Sequence, residues 1–186
     1  MPGRMFTFVG GDTGAWRVER VDAVGGESLP EVSRLEVVNA VAASTPIGAR
    51  WSLRGATSHE RYVTREERTR LVEKQPVLGR PEAWCAALIP IRKSESWWAL
   101  TQDERRAVFE RESRHIHTGL AYLPAVARRL HHSRDLGEPF DFLTWFEYAP
   151  EHAVAFEELV TTLRASAEWT YVDREVDIRL IRDRPG

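Results

Sequence analysis

Cysteine is nearly absent from this sequence. Cys85 is the only one, so no disulfide can close within the chain and no cysteine cage can hold a metal. It stands in Trp84-Cys85-Ala86-Ala87-Leu88-Ile89, where a small buried hydrophobe on a strand is the better reading. Long apolar runs are missing too. None approaches the ~20 residues of a membrane span, and Met1-Pro2-Gly3-Arg4-Met5-Phe6 lacks the apolar core of a secretory signal. The expectation is a soluble chain in the cytoplasm, or in the periplasm if a signal has been trimmed. An excess of either charge is lacking as well. With a net charge of −2, and basic residues mixed among acidic ones, nothing draws the chain to nucleic acid or to an anionic membrane. The six histidines include no i, i+4 pair with a glutamate between, the helical zinc spacing, and His115-Ile116-His117 alone is weak evidence for any metal.

What is present is an ordinary globular composition, 42% hydrophobic and 29% charged over 186 residues, enough for one sizeable core or two small modules. Seven tryptophans are many for this length. Core packing accounts for most, and a pocket or interface for the rest. The first third reads as short strands, Met5 to Val9 and Ala15 to Val24, broken at Gly10-Gly11-Asp12 and Gly25-Gly26. Residues 29–43 fit helix or strand equally. Arg50 to Arg61 looks extended, and Thr64-Arg65-Glu66-Glu67 opens a helix as a capping box. A turn-rich stretch through Gly79, Arg80 and Pro81 marks a boundary, giving modules 1–82 and 83–186.

The second half is better punctuated. Ala83 to Ile89 reads as a strand with Pro90 at its end. A second capping box, Thr101-Gln102-Asp103-Glu104, starts a helix running through Arg106, Phe109 and Arg114, with His115 on it or at its end, on the face of Val108. Val126 to His132 and Phe140 to Tyr148 form a β-hairpin across Asp135-Leu136-Gly137-Glu138-Pro139. Arg128 would then share a face with Val126, Leu130, Phe142, Thr144 and Phe146, one cation in an apolar wall. A helix starting at Pro124, with Arg128 and Arg129 on its solvated side, competes with that reading on propensity. Pro150 to Ser166 is helical by period, and Trp169 to Arg182 closes the half as a strand. The order strand, helix, strand, strand, helix, strand is that of an α+β, ferredoxin-like fold. Its open sheet face requires cover from the first half or from a second subunit.

Lys93 with Trp97-Trp98 following, a charged helix ending in His115, Thr118-Gly119-Leu120-Ala121-Tyr122-Leu123, Arg128, and Phe142-Leu143-Thr144-Trp145-Phe146-Glu147 stand in an order that resembles the chlorite dismutase family. The brevity of the first half is similar to its short-chain lineage. The resemblance implies two tandem ferredoxin-like modules of the dimeric α/β-barrel type, the N-terminal one reduced, and a homodimer. It implies haem b with its iron ligated by His115, and Glu168 accepting a hydrogen bond from the ligand's other ring nitrogen. Arg128 becomes the distal arginine, with Leu130, Thr144 and Phe146 beside the cofactor. Lys93 and Trp97 fall near the haem propionates, Tyr62 near a propionate, and Gln75 near Arg128.

The implied reaction converts chlorite to chloride and dioxygen. Hydrogen peroxide needs a base to move its proton, and no such base is evident in this wall. Chlorite is already an anion, and needs an open iron site, a fixed positive charge and dry surroundings. Arginine stays charged at any relevant pH and forks around oxyanions. A coproheme decarboxylase would lack the distal arginine, and a dye-decolourising type of peroxidase would add a distal aspartate that has no counterpart here. A haem-binding sensor, or a barrel protein without cofactor, is the non-enzyme alternative.

Overall fold

The computed structural model describes residues 5–39, 47–57 and 77–183. Tyr62, Gln75 and the expected helix opening at Thr64 lie outside them. Eight antiparallel strands close into a barrel: β1 (Met5–Gly11), β2 (Trp16–Gly25), β3 (Arg34–Val38), β4 (Ala49–Ala56), β5 (Cys85–Lys93), β6 (Val126–His132), β7 (Phe142–Tyr148) and β8 (Val172–Arg182). Around the barrel they run β1-β3-β2-β8-β5-β7-β6-β4. The helices are α1 (Glu95–Ala99), α2 (Gln102–Arg106), α3 (His115–Ala121) and α4 (Ala153–Arg164), with a π-helical turn at Ala107–Glu112. Among the described residues no helix is long and apolar enough to cross a membrane.

The ferredoxin-like order of the second half is present, but its open face is not left for another subunit. Strands β1 to β4 join β5 to β8 through the β2–β8 and β4–β6 edges, so the chain covers that face itself. Of the two covers that the sequence left open, the first half of the chain supplies this one. Strand alternation sorts the side chains into two layers. Phe8, Leu35, Leu53, Leu88, Leu143, Trp145, Ile178 and Leu180 point into the barrel and form its core. Ala87, Ile89, Phe146 and Tyr148 point outward and take Phe156, Leu159, Val160 and Leu163 of α4. Each large side chain so buried contributes roughly 1.5–3 kcal/mol. One close approach inside requires glycine: a Cβ on Gly10 would lie 2.2 Å from the Trp51 ring.

Pro90 does not end its strand. β5 continues to Lys93 between β7 and β8. Pairing with β8 skips Ile89 and Pro90 and resumes at Ile91, which accommodates the missing proline donor. On β8 the outward residues Glu175, Asp177 and Arg179 are charged and buried. Arg164 of α4 lies 2.6 Å from Glu175 and 2.8 Å from Asp177, and Arg179 reaches Asp177 and Glu157 at 2.5 and 2.6 Å. Burying these charges is tolerable because each has an opposite partner.

Candidate functional site

The expected continuous helix through Arg114 is replaced by a broken one. Thr101 and Glu104 do form a capping box, but after Arg106 the chain winds as a π-helix to Glu112, and Arg114 takes a left-handed conformation with φ 50°. A non-glycine residue there costs roughly 1 kcal/mol or more. The kink starts a new helix whose first residue is His115. The histidine therefore does not continue the face of Val108, and the extra residue of the π-turn re-aims it. Its ring stacks on Phe109, with centroids 4.4 Å apart and planes 21° apart.

Behind the ring, Nδ1 of His115 stands 2.8 Å from Oε2 of Glu168. A carboxylate accepts only, so Nδ1 carries the proton and the Nε2 lone pair faces away from Glu168. Glu168 is buried, 4% exposed. It sits on the 3-10 turn Ala167–Tyr171. Its own N–H donates to Ser113 Oγ at 2.8 Å, and Trp169 Nε1 donates to Glu175 at 2.7 Å, which locks the turn between the π-helix and β8. Burial pushes the Glu168 carboxyl up, but His115 and then Lys93 outweigh it and hold the group at about 2.

Lys93 requires a correction. Its ammonium donates to Glu168 Oε1 at 2.7 Å, with only 2% of the side chain exposed, so it is committed behind His115 and is not a propionate donor. The Trp97 ring lies 4.5 Å from that ammonium and packs against Tyr171. Trp97 is thus a buried wall of the ion pair. The lysine is positioned by Asp141, whose Oδ2 accepts from the Lys93 backbone N–H at 2.7 Å and from Trp98 Nε1 at 3.2 Å.

The opposite wall is the hairpin, and the helical alternative for Arg128 is excluded. β6 and β7 pair antiparallel with Arg128 opposite Phe146, Leu130 opposite Thr144 and His132 opposite Phe142. These residues share the outward face, on the side where α3 lies. Gly119 is one helical turn beyond His115, and a Cβ there would come within 3.1 Å of the Arg128 guanidinium. The cation and the histidine thus border the same space. Leu130 projects into it, 45% exposed, with Thr144 and Phe146 flanking.

Sequence reasoning missed Ser113, Phe109 and Asp141. Ser113 lies two residues before His115, yet nothing in that spacing announces a hydrogen bond to residue 168. Among the described residues no cluster of three or more histidine, cysteine, aspartate or glutamate side chains could hold a bare metal ion.

The family model of chlorite dismutase matches residues 31–182. A chlorite dismutase of Ideonella dechloratans is 36% identical over 86 residues, which are 46% of this chain and 28% of that protein. The matched segment therefore spans less than a third of that relative. The crystal structure of a dimeric chlorite dismutase from Nitrobacter winogradskyi is 59% identical, with a TM-score of 0.89, over 95% of this chain and 99% of that one. A mutant chlorite dismutase from Candidatus Nitrospira defluvii shares the fold at 21% identity and a TM-score of 0.70, over 96% of this chain and 91% of that one.

Proposed function

This chain belongs to the chlorite dismutase family, and from that premise we propose that it is a haem b enzyme converting chlorite to chloride and dioxygen. The observation that carries the reading is the placement of His115, backed by Glu168 at 2.8 Å, on the helix whose Gly119 meets the Arg128 guanidinium.

The residues fit haem on their own chemistry. A bare ion would need several protein ligands, whereas haem would ask this chain for a single imidazole. His115 offers that imidazole in a fixed tautomer, and Glu168 makes it more basic. The exposed Leu130 with Phe146 suits a flat apolar ligand. When bound, haem supplies the redox chemistry that removes oxygen from chlorite and joins the two oxygen atoms.

The chain's own residues do the rest. Lys93 keeps Glu168 ionised, and Glu168 holds the Nδ1 proton of His115. Arg128 attracts chlorite and keeps a hypochlorite-level fragment from escaping before the oxygen–oxygen bond forms. Leu130, Thr144 and Phe146 keep the wall dry, which strengthens the attraction. We assign Tyr62 to a propionate and Gln75 to the neighbourhood of Arg128.

We read residues 1–82 as a reduced ferredoxin-like module and 83–186 as the haem-binding one, their strands joined in one barrel. The enzyme acts as a homodimer, a reading supported by the dimeric relative from Nitrobacter winogradskyi. Light scattering on the purified protein gives twice the 21.3 kDa chain mass if this is right. The reaction itself is tested by adding chlorite to the haem-loaded protein in an oxygen electrode. Dioxygen release supports it, and peroxide-driven dye oxidation without dioxygen from chlorite favours a peroxidase.

A further inference from the structure

On β6 the residues between those of the haem wall point the other way, into the barrel. There Arg129 and His131 line a cavity of about 380 Å³, together with the aromatic rings of Phe6, Phe8, Trp16 and Trp145 and with Arg182 at the end of β8. An eight-stranded barrel is just wide enough either to be filled by its own side chains or to hold one small ligand. The volume falls within the range of small-molecule pockets.

The polar groups of this cavity are unevenly committed. Glu147 accepts from Gly79 N–H and Trp145 Nε1 at 2.5 and 2.9 Å, and Glu36 accepts from the N–H groups of Ala15 and Val37 at 2.8 and 3.2 Å. Both acids are therefore satisfied by neutral donors. The two guanidiniums lie over aromatic faces, Arg129 on Phe6 at 5.0 Å and Arg182 on Trp16 at 4.6 Å. Among the described residues neither has a carboxylate within ion-pair distance. His131 gives Nδ1 to the Leu143 carbonyl at 3.1 Å, while its Nε2 is buried with no hydrogen-bond partner. Two guanidiniums outside ion-pair distance of the two carboxylates, one free acceptor nitrogen and four aromatic rings thus surround one space.

We propose that the barrel cavity is a second ligand site, separate from the haem face, which takes a small hydroxylated aromatic carboxylate. The ring stacks among Phe6, Phe8, Trp16 and Trp145, the carboxylate is shared by Arg129 and Arg182, and the hydroxyl donates to His131. The site does not depend on the chlorite reading, because the β-sheet separates it from His115 and Arg128.

Titration calorimetry of the haem-loaded protein with 4-hydroxybenzoate, with the Soret band followed in parallel, tests this. The expected result is saturable binding with an unmoved Soret band. Affinity should fall about tenfold or more in Arg129→Gln and in Arg182→Gln, the loss of a charged hydrogen bond, and stay unchanged in Arg128→Ala. If the glutamine variants do not fold, Arg129→Lys and Arg182→Lys keep the charge, lose the fork, and still weaken binding. No saturable heat up to about 10 mM, a range covering even weak binding, would overturn the proposal. So would binding that shifts the Soret band and disappears in Arg128→Ala, since the ligand would then be at the haem.

Discussion

The Lys93 ammonium stands 2.7 Å from Oε1 of Glu168, with 2% and 5% of the two side chains exposed. A buried pair of this kind is weak evidence for stability as a whole, yet removing one partner strands the other charge, at a cost of about 3–5 kcal/mol. Lys93→Met should therefore lower the unfolding free energy by about 3 kcal/mol, measured by urea denaturation at pH 7. The pH dependence should move too. Glu168, held at about 2 against its ordinary 4.5, contributes stability that is present above pH 4.5 and lost as the pH falls through about 2. Without Lys93 the carboxyl shifts up, and the acid transition starts at a higher pH. An unchanged acid midpoint would mean that the lysine does not hold Glu168 ionised.

Glu168→Gln separates charge from shape. The amide fills the same space and can still accept from Nδ1, but it no longer makes the imidazole strongly electron-donating. The variant should retain haem with a ferric potential shifted upward in spectroelectrochemical titration. A potential equal to that of the parent would remove Glu168 from the role assigned to it.

His131 predicts a separate acid-sensitive window. Burial lowers its pKa from 6.5 to about 4, so the unfolded chain binds a proton that the folded chain refuses between these values. Stability is full above pH 6.5 and declines as the pH falls towards about 4, by about 3 kcal/mol in all. His131→Phe keeps an aromatic ring between Phe6 and Phe8 and removes the titration. Its thermal midpoint should vary less than the parent's between pH 7 and pH 4.5, and an equally steep decline in both would contradict the assignment.

Much of this architecture was legible in the sequence, and the exceptions share a physical cause. The β6–β7 hairpin was announced by the turn formers between its strands, and alternation put Arg128 on one face with Phe142, Thr144 and Phe146, although helix propensity at Pro124 to Leu130 left a competing reading and only the structure gave the register. Helix starts at Thr101 and Pro150 were marked by local chemistry. What could not be read were contacts over long separations and local departures from regular winding. The π-turn before His115 leaves no composition signal. The commitment of Lys93 to Glu168, 75 residues away, depends on how β5 and the 3-10 turn meet in three dimensions. Whether β1 to β4 or a second subunit would close the barrel was left open because short strands do not reveal which edges they join. The functional residues His115, Arg128 and Glu168 were named through family resemblance, since a lone helical histidine carries little information.

Arg128→Ala should slow chlorite turnover without abolishing it. Oxygen removal from chlorite depends mainly on the cofactor and His115, whereas retention of the hypochlorite-level fragment depends on the distal cation. A chlorination trap should collect more product from the variant per chlorite consumed, and the variant should inactivate sooner. Equal trapping in variant and parent would show that the arginine does not confine the fragment.

The most direct test is the oxygen yield of the haem-loaded protein given a known amount of chlorite, with chloride measured in the same sample. The account predicts dioxygen and chloride in equal amounts, each matching the chlorite consumed, and no activity in a His115→Ala protein that fails to hold haem. A fully haem-loaded parent protein that consumes chlorite without releasing dioxygen, or does not consume it, would contradict the proposed function even with the fold and the His115–Glu168 pair intact.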